Sequence, residues 1–198
     1  MTIKNLPVKY NKIWQLALPL LRKSRPGDDH HAMEVVSFIL NYRGRLKLDY
    51  NVLIPAAMLH DIGHSAILPE HFKYVTGPEK MINGKLVHML AGAKIAKDIL
   101  VKVKYNQRDS REIIEIISMH DGDSLAGVKV SKIFNTTNKK LFHDIDSMDR
   151  YNEKRLKNAL YLYKDRKQIL KILQGLLKNL FFEEFRNLAK ANLKKMLK

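Results

Sequence analysis

Two imidazoles and a carboxylate follow directly on an apolar run. His60, Asp61 and His64 come after residues 52–59, a segment built to be buried. Buried polar side chains need partners, and an isolated buried charge is far more costly than a hydrophobic residue in its place. A divalent cation satisfies all three groups at once. Further histidines lie on other apolar stripes, at His31, His88 and His120, and an acidic cluster follows at Asp144 and Asp146. Together they form a nitrogen and oxygen ligand set, and the chemistry it points to is metal-dependent hydrolysis.

The dipeptide His-Asp occurs three times, at His60-Asp61, His120-Asp121 and His143-Asp144, so context has to separate them. His31 shares the helical stripe of Val35, Phe38 and Tyr42. His88 shares a face with Gly92, Ile95 and Ile99, and His120 continues the stripe of Ile113, Ile116 and Ile117. A lone inward histidine is most often a hydrogen-bonded core residue. Three of them beside an apolar-flanked His60-Asp61 are explained more simply by a shared metal than by separate buried networks. Gly92, one turn after His88, leaves room for another backbone or a substrate to approach closely.

The elements that must position these groups read as helices throughout, with no long alternating strand pattern. Residues 10–22 form the first. Residues 25–29 are a turn that launches a second over 30–42. Residues 51–61 make an apolar helix with Pro55 near its start, and Gly63 helps to end it. Residues 66–84, interrupted by Pro and Gly, form a long loop or short helices of the kind that often serve as lids. Helices follow over 85–101, 110–119 and 139–162, then one or two amphipathic helices over 164–197 with a bend near Gly175. The expected architecture is an all-α helical bundle. Residues 1–160 form the site-bearing domain, and residues 161–198 a basic amphipathic extension. Its stripe of Leu173, Leu176, Leu177, Leu180 and Phe181 either finishes the core of one chain or forms a homodimer contact.

Composition narrows the chemistry. The 198-residue chain has no cysteine, which excludes disulfides, thiolate ligands and a cysteine nucleophile. A metal held by histidine and aspartate alone is Mn, Fe, Co, Ni or Zn rather than Ca or Mg. The formal charge is +16, and residues 150–198 carry 14 basic against four acidic side chains. That excess suits an acidic partner, although a solvated lysine-rich surface is the simpler reading. The apolar run over residues 13–21 is too short to span a bilayer and lacks signal-peptide features. A soluble, cytoplasmic protein with no membrane partner is expected.

The stretches "HHAMEVV", "AAMLHDIGHS", "VHMLAGAKIAKDIL", "IISMHDGDS" and "LFHDIDSMDRY" resemble, in order, the motifs of the HD-domain superfamily of metal-dependent phosphohydrolases. The resemblance spans roughly residues 25–152. It implies His31, His60, Asp61 and Asp146 around a first metal. Around a second, it implies a bridging Asp61 with His88 and His120. Asp144 and Asp149 compete with Asp146 for the last position, which alignment with the family's final aspartate gives to Asp146. His64 occupies a position where relatives carry other side chains; with Asp61 it is a candidate catalytic residue, orienting water, contacting phosphate or capping the helix. His30, His71 and His143 are read as non-ligands. The basic residue usual shortly after the first histidine is replaced by Glu34, leaving Lys80, Lys85 and Arg150 as candidate phosphate contacts. The implied reaction is hydrolysis of a phosphate ester, with a nucleotide-like small molecule favoured, by water activated at one or two divalent transition-metal ions. The rival readings are a metal- and nucleotide-binding module without turnover and, less favoured, nucleic-acid binding through the basic C-terminal helices.

Overall fold

The computed structural model describes residues 3–68, 70, 83–125 and 127–197. Among them every regular element is helical. The chain divides into two compact units, Met1–Phe142 and His143–Lys198. The division falls before the boundary expected near residue 160.

In the first unit, α1 (Val8–Lys23) buries Tyr10, Ile13, Trp14, Ala17 and Leu21 along one stripe. The helix α2 (Asp28–Asn41) does the same with Asp28, Ala32, Val35, Val36 and Ile39. The next helix, α3 (Tyr50–Leu59), is buried on every side from Val52 onward, with α1, α2 and α5 (Gln107–Met119) packed around it. A helix apolar all round belongs at the centre of a domain, and the site hangs from the end of this one.

Pro55 is the sixth residue of α3, so it cannot donate to the carbonyl of Asn51. That carbonyl accepts instead from the Tyr105 hydroxyl at 2.8 Å, and the Tyr50 carbonyl accepts from Tyr10 at 2.9 Å. The proline is therefore tolerated because the Tyr105 hydroxyl replaces the one backbone donor it removes. Asp49 caps the same helix through the Asn51 N–H.

A single 3-10 turn, Ile62–Ala66, follows α3 and packs against α4 (Gly84–Lys102), which in turn packs on α5. Asn83 and Asn106 cap α4 and α5 with their side-chain oxygens. The short α6 (Val130–Ile133) leads to α7 (Thr137–Met148), whose start is fixed by Glu112 of α5: its carboxylate accepts from Thr136 Oγ1 at 2.9 Å and Asn138 Nδ2 at 3.0 Å.

The second unit holds the end of α7 and three further helices, α8 (Glu153–Tyr163), α9 (Arg166–Leu176) and α10 (Glu183–Met196). The single helix expected over 139–162 is thus two. A 3-10 turn at Asp149–Tyr151 breaks it, and Asn152, in extended conformation, caps α8 by accepting from the Arg155 N–H. Gly175 lies inside α9 rather than at a bend; the turn comes after Asn179. There the Asp144 carboxylate, fully buried, accepts from the backbone N–H groups of Phe181 at 2.9 Å and Phe182 at 2.8 Å. Leu173, Leu177 and Leu180 of the expected stripe are buried, while Leu176 and Phe181 are partly exposed.

Candidate metal centre

His60 is the C-cap of α3, just past Leu59, and its Nδ1 lies 3.0 Å from the Ala57 carbonyl. A carbonyl can only accept, so Nδ1 carries a proton, and in the neutral ring Nε2 keeps its lone pair. His88 and His120 are fixed the same way, Nδ1 of each donating to the Gly84 carbonyl at 3.2 Å and the Ile117 carbonyl at 2.9 Å. Two helix C-caps and the first turns of α4 thus aim three Nε2 atoms inward. This is the pattern in which metal-ligating histidines are held.

They converge on Asp61. The chain leaves α3 at φ −97°, ψ 0°, which turns the Asp61 carboxylate back under the helix end. Oδ2 lies 3.4 Å from His60 Nε2, and Oδ1 lies 3.8, 3.7 and 3.7 Å from Nε2 of His88, His120 and His64. Asp61, His60, His88 and His120 are all buried. The His31 ring stands edge-on to His60 with centroids 5.1 Å apart. Ligand atoms of His31, His60 and Asp61 lie within 4.8 Å of one another, as do those of Asp61, His88 and His120, and again those of Asp28, Asp61 and His64.

Two features bring the helices close enough. A Cβ on Gly63 would sit 1.8 Å from the His88 carbonyl oxygen, so this position admits no side chain. The glycine permits contact between the 3-10 turn and α4, which goes beyond ending a helix. Gly92 faces it, with an added Cβ 3.4 Å from Gly63 N and His60 O, as a close backbone approach requires.

Electrostatics keep the donors ready to coordinate. Burial, reinforced by the Arg25 charge, holds His64 down to about 3, and burial with the neighbouring His120 holds His88 down to about 4. Both are therefore neutral at neutral pH, the form that binds metal. Burial pushes Asp61 up, but His60, His120 and Arg25 beside it outweigh that and keep the carboxyl well below the usual carboxylate range. His64 stacks on His88 at 4.0 Å, and its Nε2 is buried with no hydrogen-bond partner among the described residues.

The structure thus brings together His31, His60, Asp61, His64, His88 and His120. Asp146 lies on α7 in the second unit and is partly exposed. Asp144 is committed to the Phe181 and Phe182 backbone and to His143 Nδ1 at 3.0 Å, and Asp149 to Arg155 at 2.8 Å. Lys85 pairs with Asp121 at 3.7 Å, Arg150 sits on the 3-10 turn before α8, His30 and Glu34 are exposed, and Lys80 and His71 fall outside the described residues.

Two residues of the centre were not among those singled out by the sequence. Arg25 Nη2 lies 3.1 Å from Asp61 Oδ2, and Asp28, buried, grips the same guanidinium from Nε at 3.3 Å and Nη2 at 3.2 Å. Asp28 could have been found, because it falls on the buried stripe of α2 one turn before Ala32. Arg25, in a turn, lies on no stripe.

The HD domain family model matches residues 28–150, most of the chain. The chain belongs to the HD domain family. The match begins at Asp28 and takes in the HD dipeptide His60-Asp61 and every histidine of the centre. No curated protein and no solved structure gives a significant match. Members of the HD family are mostly metal-dependent hydrolases, and this HD domain carries a buried His/Asp group able to hold a metal.

Proposed function

We propose that this HD domain is a metal-dependent phosphohydrolase acting on a small, nucleotide-like phosphate ester. The observation that carries the reading is the pair His88 and His120. Their Nε2 atoms lie 3.2 Å apart, and both Nδ1 atoms are already committed as donors to carbonyls. In their neutral forms two imidazoles so arranged turn lone pairs toward each other, an arrangement that a cation beside them would relieve. Asp61, 3.8 and 3.7 Å from the two nitrogens, adds the negative charge that such a cation needs.

The residues fit one or two divalent transition-metal ions. His31, His60 and Asp61 would hold one, and Asp61, His88 and His120 the other, with the Asp61 carboxylate shared, since it alone has two oxygens to offer. Such ions supply Lewis acidity toward the phosphoryl oxygens and lower the pKa of water. The chain supplies the rest. Asp61 orients the ligands and the attacking water, and His64, neutral and with Nε2 3.7 Å from Asp61, is placed to accept a hydrogen bond from that water.

The test pairs elemental analysis of protein purified without chelators with turnover of a phosphoester panel comprising mononucleotides, cyclic nucleotides and p-nitrophenyl phosphate. One to two equivalents of transition metal with release of phosphate or a monoester product are expected. Full metal occupancy with tight nucleotide binding and no turnover would instead make this a binding module. Failure to retain Mn, Fe, Co, Ni or Zn after reloading would sink the enzymatic reading.

A further inference from the structure

We infer that Arg25 is the phosphate-recognising residue of this centre and that Asp28 positions it, an inference that rests on the phosphohydrolase reading above. A phosphate ester brings negative charge that fixed cations next to the reacting group must offset and orient. The helix bearing His31 offers Glu34 rather than a cation at the expected place, and Lys85 is paired with Asp121. Arg25 instead reaches the carboxylate at the middle of the centre, with Nη2 3.1 Å from Asp61 Oδ2.

What distinguishes Arg25 from a surface arginine is how it is held. Asp28, with its side chain 8% exposed, takes Nε at 3.3 Å, Nη2 at 3.2 Å and the Arg25 backbone N–H at 3.1 Å. Gly27, at φ 96°, folds the turn so that residues 25 and 28 face each other; a side chain there would be strained. The guanidinium is therefore anchored by a group other than Asp61 and stays in place when Asp61 is engaged by cations. Of its five N–H donors, those on Nη1 have no partner among the described residues, and the side chain is 57% exposed. Anchored on one edge and open on the other, it has the planar fork that suits two oxygens of a phosphate.

Calorimetric titration of the metal-loaded protein with inorganic phosphate tests this, alongside metal content and KM and kcat on whichever panel ester is turned over. Arg25→Ala should weaken phosphate binding about 10- to 100-fold, the range for a hydrogen bond to a charged group. Arg25→Lys should recover part of the loss, and Asp28→Asn should show a smaller loss than Arg25→Ala, all with metal content unchanged. Should Arg25→Ala fail to fold, Arg25→Gln and Arg25→Lys carry the comparison. Unchanged phosphate affinity in these variants would overturn the inference and leave the phosphohydrolase reading intact. So would loss of metal with normal phosphate affinity once metal is saturating, because Arg25 would then serve Asp61 and not the substrate. Metal-loaded wild type that binds no phosphate would remove the underlying reading itself.

Discussion

The three His-Asp dipeptides show how one pair of residues is put to three uses. His60-Asp61 and His120-Asp121 both terminate a helix, with the histidine's Nδ1 bonded three residues back and the aspartate at φ −97°, turning into a 3-10 segment. In the first the aspartate points into the centre; in the second it is partly exposed and meets Lys85. In the third, within α7, His143 and Asp144 bond each other, and Asp144 fixes the chain at Phe181 and Phe182. Substitutions should separate these uses. Asp61→Asn removes the charge that the surrounding nitrogens and Arg25 share, so bound metal and turnover should disappear together while helical circular dichroism persists. Asp144→Ala leaves two backbone N–H groups without their acceptor, and should cost roughly 2–5 kcal/mol in urea unfolding while metal content is kept. A variant at Asp61 that retained full metal would contradict the ligand assignment, and an unchanged midpoint for Asp144→Ala would contradict the anchoring role. Sequence alone left Asp144 and Asp146 in competition, because both sit in the same acidic turn of helix. The partners of Asp144 lie 37 and 38 positions away, beyond the reach of any local pattern.

Helices, by contrast, were legible wherever period and caps agreed. The stripes of α1, α4 and α5 and the asparagine caps at Asn83 and Asn106 place those elements within a few residues. Boundaries failed where a single polar residue overrode helix propensity, as Asn152 does between α7 and α8. The role of Gly63 was also hidden, since close packing depends on what lies opposite. At that position Gly63→Ala places a methyl carbon inside the His88 carbonyl, so the 3-10 turn and α4 must separate and His88 must leave Asp61. Loss of the metal and a large drop in melting temperature are expected, readable by elemental analysis and thermal unfolding. Gly92→Ala meets its neighbours only at 3.3–3.4 Å, so a small shift accommodates it and most of the metal should remain. Equal damage from both would show that the close approach is not what Gly63 provides. Pro55 and Tyr105 allow a second test. Tyr105→Phe should cost about 1 kcal/mol by leaving the Asn51 carbonyl without a donor. In a Pro55→Ala background, which restores a backbone N–H, that cost should shrink, and a double-mutant cycle measures the difference.

Across the whole molecule the sequence pointed to an all-α chain with a metal site, and family membership and helical architecture agree with that. The balance of protons over the centre was not legible, because it depends on which groups are buried together. His64 and His88 are held at about 3 and about 4 against an ordinary value of 6.5. As pH falls below 6.5 the unfolded chain takes up both protons and the folded chain does not, so these groups destabilise the fold progressively toward pH 4. Asp28 acts in the opposite sense. Burial and the Asp61 charge raise it to about 6 from 3.8, so the folded chain holds that proton first, and the stabilisation is full below 3.8 and lost as pH rises through 6. Near pH 5 the unfolded state thus binds two protons at the histidines against one kept by the folded state at Asp28, a net of about one. Stability of the metal-free protein should then fall on acidification, these three groups together contributing about 1.4 kcal/mol per pH unit. The formal charge of +16 adds self-repulsion in the same direction. Asp28→Asn removes the opposing proton, so its slope should be steeper than that of wild type. Urea unfolding of both proteins at pH 4.5, 5 and 5.5 and fixed ionic strength measures the two slopes. A flat wild-type profile, or parallel slopes for the two proteins, would mean that these groups do not share the buried environment described for them.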